Sequence, residues 1–310
     1  MNIIIPIPVT DAMIGAGTTI AEPSATETAW AAGVYYDVGS ICIRATTHRK
    51  YKCTVAHTGN ANNPPEDEPA RWVDIGLTDR WAPFDWYTNT RVSTVTSITY
   101  VLSPGYFNAL GLYGLVGAQY AITIKDAPAG TVVYSKSGDL TEDPADWYEY
   151  LFITKIKFDK LVLHNLPMYL TAELTITITA ATGQPVGIGM IVMGDFTPIV
   201  GRSAEWGGTQ FGAKAEPVTY SYINTDDYGN TTIKRRHAAT NLRLTVVMPR
   251  RFADGTVQLL QSVLDQPVAC IAATIDGYAG LTTFGLITSS SVSYDGVDIA
   301  SIDITVKGLT

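Results

Sequence analysis

The chain has 310 residues, of which 46% are hydrophobic and 16% are charged, and its net charge is −8. This length exceeds that of a typical single domain, so two or three domains are expected, and the composition excludes an intrinsically disordered chain. The negative charge argues against nucleic acid as a partner. No apolar run of about 20 residues occurs, so no membrane insertion is predicted.

Residues 1–29 are predicted to form an N-terminal arm. It begins with a strand-like apolar run, made by Ile3, Ile4, Ile5 and Ile7. These side chains would be costly to leave in water, so the arm is expected to dock on a neighbouring domain or subunit. One helical turn is predicted at Thr10 and Asp11. The N-terminus lacks the features of a signal peptide, so synthesis in a cytoplasm without ordinary export is expected.

Residues 30–76 are predicted to form a small β module. Two short strands, around Ile41–Ile43 and Tyr51–Val55, form a hairpin, and a loop rich in Pro, Asn and Asp leads to a third strand at Trp72. Such a module has little aliphatic core, so its aromatic side chains must supply much of the buried area.

The two cysteines of this module, Cys42 and Cys53, lie in the two strands of the predicted hairpin. If the hairpin is centred between Thr47 and His48, Cys42 and Cys53 lie opposite each other, at a separation that a disulfide can span. A reducing compartment would disfavour the bridge, so both states stay open. Cys270 is expected to be a small core residue.

The order of Trp, Tyr, Gly, strand, Tyr, Asn/Pro loop and Trp in the module resembles the small carbohydrate-binding modules of families 5 and 12. In those modules some aromatic rings form the core and others stack on the apolar faces of sugars. By this resemblance, the residues at the positions of the aromatic pattern are Trp30, Tyr36, Tyr51 and Trp72. Two interpretations follow: most of the four rings are core, or at least one contacts a glycan.

Residues 77–91 are predicted to be an aromatic linker. Its rings are expected to anchor the module to the next domain: Trp81, Phe84, Trp86 and Tyr87. The segment Thr-Asp-Arg-Trp-Ala-Pro-Phe-Asp, residues 78–85, resembles a junction of tailed-bacteriophage structural proteins, in which a Trp/Phe/Asp element follows a module of this kind. The resemblance implies a virion location in the tail, with other virion tail proteins and further copies of this chain as partners.

Residues 92–200 are predicted to form a β-sandwich. Apolar residues alternate with polar ones in two half-buried strands, at Tyr120, Ile122 and Ile124 and at Leu174, Ile176 and Ile178. The segment from Val186 to Met193 is apolar on both sides and predicts a central strand. Turns rich in Gly, Pro and Asp separate these strands, as in sandwiches and barrels.

The order of strands and loops in this domain resembles the galactose-binding-like jelly roll. In that family ligands bind at loops on one end of the sandwich. The corresponding loop here is residues 142–149, which would place Trp147 and Tyr148 at a glycan site. The alternative is a surface loop whose aromatic residues plug the end of the sandwich. Its carboxylates, Glu142, Asp143, Asp146 and Glu149, form a hydrated loop in preference to a glycosidase pair.

Residues 201–310 are predicted to form a β-rich assembly domain with one short helix. Asp254 is predicted to cap this helix, whose apolar face would contain Val257, Leu260, Val263 and Leu264. Basic residues concentrate in an otherwise acidic chain, at Lys234, Arg235, Arg236, His237, Arg243, Arg250 and Arg251. This basic cluster meets an acidic patch on a neighbouring subunit or forms an ordinary solvated strand face.

No catalytic constellation is found in the sequence. The histidines lack metal-ligand spacing, and no phosphate-binding loop or nucleophile elbow occurs, so no cofactor, no metal and no enzyme activity are predicted. The preferred hypothesis is an all-β structural component of a phage virion, in the tail tip, baseplate or fibre-attachment region, with glycan binding for host attachment. The alternatives are a carbohydrate-active enzyme or its accessory subunit, and a soluble lectin.

Overall fold

The computed structural model describes residues 1–142, 146–152, 157–236, 238–275 and 277–309, which form the mainly β architecture that the sequence predicts. The first part contains β1 (Asn2–Pro6), β2 (Tyr35–Tyr36), β3 (Ile41–Arg44), β4 (Arg49–Cys53), β5 (His57–Thr58) and β6 (Trp72–Leu77). The middle part contains β7 (Val92–Val95), β8 (Ser97–Leu102), β9 (Ala109–Tyr113), β10 (Gln119–Lys125), β11 (Val132–Asp139), α1 (Trp147–Phe152), β12 (Lys160–Leu163), β13 (Glu173–Thr179), β14 (Pro185–Ile188) and β15 (Met190–Pro198). The last part contains β16 (Gly208–Thr209), β17 (Lys214–Thr219), β18 (Tyr222–Thr225), β19 (Thr231–Lys234), β20 (Ala238–Pro249), α2 (Ala253–Val263), β21 (Val268–Ile271), β22 (Thr282–Ser293) and β23 (Ile299–Gly308).

The largest sheet is continuous across residue 200. Its strands follow the order β12, β9, β15, β1, β21, β22, β23 and β20, and both β16 and β17 pair with the far edge of β20. Strand β1 lies between β15 and β21 and is antiparallel to both. The N-terminal strand therefore joins the middle part of the chain to the last part.

Burial explains why β1 occupies this position. Successive side chains of a strand point to opposite faces of the sheet. Ile3 packs in a core that contains Leu260 and Val263 of α2, while Ile4 packs on the other face with Tyr113. Both isoleucines are fully buried, and each contributes about 1.5–3 kcal/mol by leaving water. The apolar arm is thus covered by later segments of its own chain.

A second sheet, in the order β11, β10, β13 and β8, shares one apolar core with β9, β12 and β15 of the large sheet. Two sheets that enclose a common core form a β-sandwich. The predicted alternation is confirmed in β10 and β13, where the inward side chains of Ile122, Ile124, Leu174, Ile176 and Ile178 are fully buried. Tyr120 is only partly buried at the edge of the same core.

The prediction of one central strand from Val186 to Met193 is wrong. The segment breaks at Gly189 into β14, which pairs with β7, and β15, which enters the large sheet. A Cβ on Gly189 would lie 2.8 Å from the carbonyl oxygen of Tyr113 and 3.1 Å from that of Thr88. The close approach of these backbones requires glycine and turns the chain from one sheet to the other.

The C-terminal helix exists, but its cap and its buried face differ from the prediction. A 3₁₀ turn at Arg250–Phe252 leads directly into α2, so Phe252 takes the cap position. Asp254 lies inside the first turn and accepts a hydrogen bond from the Tyr294 hydroxyl at 2.7 Å. The buried positions are Ala253, Thr256, Leu260 and Val263, while Leu264 is exposed.

The hairpin of the small module has a register that the sequence did not predict. Residues 45–48 form its loop, with His48 in the left-handed region (φ 55°), and Cys42 consequently pairs with Tyr51. Cys42 and Cys53 are both free and buried thiols. The predicted opposition of the two cysteines is therefore wrong by two residues of register. Burial, with a smaller contribution from the neighbouring Cys53, raises the pKa of the Cys42 thiol to about 12.

Candidate functional site

The aromatic residues of the small module lie mostly in its core. Tyr36, Tyr51 and Trp72 are buried together with the two cysteines of the module. Trp72 is only 3% exposed, and its ring meets Tyr36 edge-on at 5.1 Å between centroids. A sugar can stack only on a ring face that solvent reaches. By their burial these three residues belong to the core of the module and present no open ring face to a sugar.

Trp30 packs against the same core and is partly buried. The guanidinium of Arg44 covers its ring at 4.9 Å from the centroid, a cation–π geometry. Arg44 is held there by an ion pair with Glu66 at 3.0 Å. This face of Trp30 is occupied by the protein itself, so the residue does not present an open platform for a sugar.

Trp147 and Tyr148 lie in the short helix α1, where the sequence predicted a loop. Their side chains are exposed, Trp147 to 79%, so they do not plug the end of the sandwich. Tyr148 contacts Phe152 one turn later, at 5.2 Å between ring centroids. Both side chains are more than half exposed. Asp143 and His237 of the basic cluster lie outside the described residues, and the side chain of Glu149 is likewise not described.

A more developed aromatic surface lies in the linker, where the four rings divide into two pairs. Trp81 and Phe84 are anchors, as predicted: Trp81 stacks on His48 at 4.3 Å, and Phe84 contacts Tyr100 edge-on at 5.7 Å. The other two rings, Trp86 and Tyr87, are 53% and 57% exposed, so their predicted anchoring role is wrong. They line a groove of about 590 Å³ between the linker and the module, which we call the linker groove.

Two local structures shape the linker groove. Asp85 accepts hydrogen bonds from the backbone N–H of Tyr87 at 2.8 Å and from the Thr90 hydroxyl at 2.6 Å, which closes the loop that carries the two rings. On the opposite wall, a register shift between β4 and β6 leaves Ile75 without a partner residue. Such bulges redirect side chains, and Ile75 lines the groove.

Burial and hydrogen bonding shift the pKa of Asp85 in opposite directions. Burial raises the pKa of its carboxyl, and the bonds from Thr90 and from the Tyr87 N–H lower it, with burial the larger effect. The carboxylate nevertheless makes both bonds of the loop, so its role is to position the two rings.

The polar groups of the linker groove suit a polyhydroxylated ligand. Arg49 donates to Asp74 at 2.7 Å, which leaves further guanidinium N–H groups free to donate. Asn89 also lines the groove and is exposed. Exposed aromatic faces beside amide, guanidinium and carboxylate groups can stack on a sugar ring and bond its hydroxyls.

A second, smaller cavity continues the groove beneath Trp86. It has a volume of about 210 Å³ and shares Phe84, Asp85 and Trp86 with the linker groove. Its remaining walls come from residues 6–9, from β15, from residues 266–267 and from Phe284 of β22. Trp86 thus stands between an open groove and a more enclosed pocket, which makes it the central residue of the site.

Polar side-chain contacts fix the module against the arm and the linker. His48 lies 2.9 Å from Glu22 through Nδ1 and 3.0 Å from Asp11 through Nε2. Lys50 bridges Asp79 and Glu27 through Nζ, at 2.5 Å and 3.2 Å. One wall of the linker groove is the module and the other is the linker, so these contacts hold the two walls together.

Asp79 is expected to make these contacts between the module, the arm and the linker sensitive to acid. Burial favours the neutral carboxyl, but hydrogen bonds from Lys50, Ser24 and Thr26 together outweigh it and hold the pKa of Asp79 below its usual value. A carboxyl whose pKa is lowered on folding stabilises the fold fully above its unfolded pKa of about 3.9, and the contribution is lost as the pH falls from there through the lower folded-state pKa. We expect Asp79→Asn to cost about 1 kcal/mol at pH 7, after solvent screening is allowed for, and much less at pH 3.

Urea denaturation of Asp79→Asn and the parent protein at both pH values measures this difference. Asp227→Asn, at an exposed turn position, is the matched control and should leave stability unchanged at either pH. A difference between Asp79→Asn and the parent that is equal at pH 7 and pH 3 would contradict the assignment.

In the described part of the chain, no helix is both long and apolar enough to cross a membrane. No group of three or more His, Cys, Asp and Glu side chains in these ranges is arranged to hold a metal ion. No family model matches the chain, and no match is found among the curated proteins.

The sequence did not predict the linker groove. It predicted only that the aromatic rings of this segment anchor the module to the next domain. Four aromatic residues within seven positions, from Trp81 to Tyr87, predict anchoring because apolar rings are usually buried. A usable signal was Asp85, whose side chain turns the chain back on itself directly before the last two rings. That turn separates the buried pair from the exposed pair.

Proposed function

We propose that the chain is a structural component of a tailed-bacteriophage virion, in the tail tip, baseplate or fibre-attachment region, and that it binds a host surface glycan in the linker groove. The observation that carries the binding role is the exposed pair Trp86 and Tyr87, held by the Asp85 turn beside free polar groups. The virion role rests on the resemblance of residues 78–85 to a phage junction. In the fold this segment connects the module to the sandwich.

Avidity is the mechanism that this proposal implies. A single stacking contact on an open groove gives weak binding, because little of the sugar leaves water. Copies repeated around a symmetric tail structure convert the second and later contacts into intramolecular events, which raises the overall affinity by orders of magnitude. Other tail proteins and further copies of this chain are the partners that such an arrangement requires.

Substitution of the two exposed rings tests the binding role. Trp86→Ala and Tyr87→Ala are each expected to weaken glycan binding at least about tenfold, since truncation of an aromatic anchor typically costs 2 kcal/mol or more. Both residues are more than half exposed, so the melting temperature should change little. A glycan array selects the oligosaccharide, and titration calorimetry measures its affinity for each variant.

Two further variants locate the site. Tyr106→Ala removes an equally exposed tyrosine elsewhere and should leave binding intact. Trp147→Ala tests the α1 surface. Loss of binding in Trp147→Ala with full binding in Trp86→Ala would move the site to α1 and refute the linker groove.

Antibody labelling tests the virion role independently of sugar binding. Gold-labelled antibodies raised against the chain are expected to decorate one end of the tail in negatively stained particles. Labelling confined to the capsid, or its absence from intact and gently disrupted particles, would contradict the proposed position.

The alternatives make different predictions. A carbohydrate-active enzyme would release sugar from chitin, cellulose or a host polysaccharide, and Glu142→Gln or Asp146→Asn would abolish the release. A soluble lectin would bind glycan as a stable monomer and would be missing from particles. Neither alternative is favoured by a specific contact in the described residues.

A further inference from the structure

A β-ribbon projects from the last part of the chain. Strands β17 and β20 pair from Lys214 with Arg243 to Thr219 with Ala238, and β18 and β19 form a separate two-stranded hairpin beyond them. Every residue of β18 and β19 is exposed. A two-stranded hairpin alone in water is marginally stable, so this segment gains from a partner. We call residues 220–236 the ribbon.

The ribbon is both apolar and basic. Ile223 and Ile233 face each other across the two strands and are 62% and 60% exposed, and Tyr228 is almost fully exposed at the tip. Three consecutive cations, Lys234–Arg236, lie at its base. In the described part of the chain, none of the three takes part in an ion pair. The ribbon therefore fits a surface that offers apolar contact and negative charge.

A surface of that kind lies at the other end of β20. A groove of about 660 Å³ follows Pro249, and we call it the assembly groove. It exposes the apolar side chains of Trp206 and Val297. Three carboxylates and two guanidinium groups line it: Glu205, Asp254 and Asp298 against Arg250 and Arg251. Glu205 pairs with Arg251 at 3.3 Å, which leaves the carboxylates of Asp254 and Asp298 against the single guanidinium of Arg250.

The two surfaces cannot meet within one copy. Strand β20 has 12 residues, which at about 3.3 Å per residue separates its ends by roughly 36 Å. The ribbon extends past Ala238, at the start of β20, whereas the assembly groove follows Pro249 at its end. Complementary surfaces at opposite ends of one molecule are arranged for a head-to-tail contact.

We propose that the ribbon of one copy inserts into the assembly groove of a second copy of this chain. The isoleucine pair and Tyr228 cover Trp206 and Val297, and the cations at the base of the ribbon face the surplus carboxylates. A head-to-tail contact between different surfaces closes into a ring or extends into a filament. The proposal requires neither the virion role nor glycan binding, so it can fail without them.

Two variants test the contact: one lacks the ribbon, and the other has a blocked assembly groove. In the first, residues 223–233 are replaced by Asn-Gly, which closes a two-residue hairpin between Tyr222 and Lys234, a directly opposed pair. The second carries Val297→Lys with Asp298→Lys, at two exposed positions. No buried residue changes in either variant, and near-ultraviolet circular dichroism verifies that both are folded.

Light scattering coupled to size-exclusion chromatography gives the masses. We expect the parent protein to form species larger than a dimer and each variant to be a monomer. An equimolar mixture should form a dimer and nothing larger, because it contains one intact ribbon and one intact groove. Lys52→Glu, an exposed charge change on the small module, should assemble like the parent.

Three results would overturn the proposal. These are a parent protein that stays monomeric at every concentration, a ribbon-deleted variant that still assembles, and a mixture of the two variants that stays monomeric. The third result, with both variants individually monomeric, would mean that an intact ribbon on one copy and an intact groove on another do not bind each other.

Discussion

Gly194→Ala is expected to destabilise the large sheet by about 3 kcal/mol or more. Gly194 of β15 lies opposite Pro6 of β1. A Cβ at this position would overlap the backbone carbonyl of Ile5 and would lie 3.1 Å from the Cγ2 atom of Ile4. Backbone cannot move aside as a flexible side chain can, so β1 must be displaced from the centre of the sheet.

Cys270 reports this displacement directly. Its thiol is free and fully buried, and the residue lies opposite Ile3 in β21. When β1 is displaced, a thiol reagent should label Cys270 roughly 100-fold faster, since each 1.4 kcal/mol of opening free energy is a factor of about ten. Mass-spectrometric mapping of the labelled peptides separates Cys270 from the two cysteines of the module.

Gly255→Ala is the matched control. Gly255 lies in α2, is exposed, and has no atom within 4 Å of an added Cβ. Alanine inside a helix should stabilise the protein by about 0.5–1 kcal/mol and leave Cys270 protected. If Gly194→Ala also left Cys270 labelled at the parent rate, the central position of β1 would be contradicted.

Trp72→Ala is expected to destabilise the small module by about 3–5 kcal/mol. The side chain is buried, and its ring meets both Tyr36 and His57 edge-on, at 5.1 Å and 5.2 Å. Its removal leaves a cavity in a core that has few aliphatic side chains to fill it. Cys42 and Cys53 lie in the same core, so their labelling should accelerate while that of Cys270 does not.

Val73→Ala provides the control for Trp72→Ala, because the neighbouring side chain is about half exposed and should cost no more than about 0.5 kcal/mol. The opposite pattern for Trp72→Ala, with protected cysteines and lost glycan binding, would make Trp72 a ligand contact after all. The two variants thus separate a core role from a binding role within one strand.

Some parts of the fold follow from the sequence because their causes are local. Alternation in β10 and β13 has a period of two residues, and each inward isoleucine is buried whichever sheet faces it. The place of β1 has a different cause. Its partners, β15 and β21, are about 190 and 265 residues away in the sequence, and an apolar run does not specify which edges it joins.

The register of the module's hairpin and the break in the strand at Gly189 were not predicted for a related reason. The loop at His48 shifts the pairing of Cys42 by two residues, and a four-residue turn carries no strong sequence signal. The break at Gly189 depends on the backbone of Tyr113, which is distant in sequence. A glycine in an apolar strand indicates close approach of another backbone, but it does not identify that backbone.

The candidate site was only partly predictable. Aromatic spacing indicated four rings of the module as candidate core residues or glycan contacts. Tyr36, Tyr51 and Trp72 are buried in the core. The exposed rings, Trp86 and Tyr87, lie just beyond it, where the linker meets the module. Which of several neighbouring aromatic residues faces solvent depends on the packing of two separate segments, and a single sequence does not specify that packing.

The most direct test of the virion role is quantitative mass spectrometry of density-purified particles from the source culture. Peptides of this chain are counted against peptides of a capsid protein. We expect a fixed copy number, from a few to a few dozen per particle, that is unchanged by a second round of purification. Its absence from the particles, or a ratio that falls with each round, would contradict the proposal that the chain is a structural part of the virion.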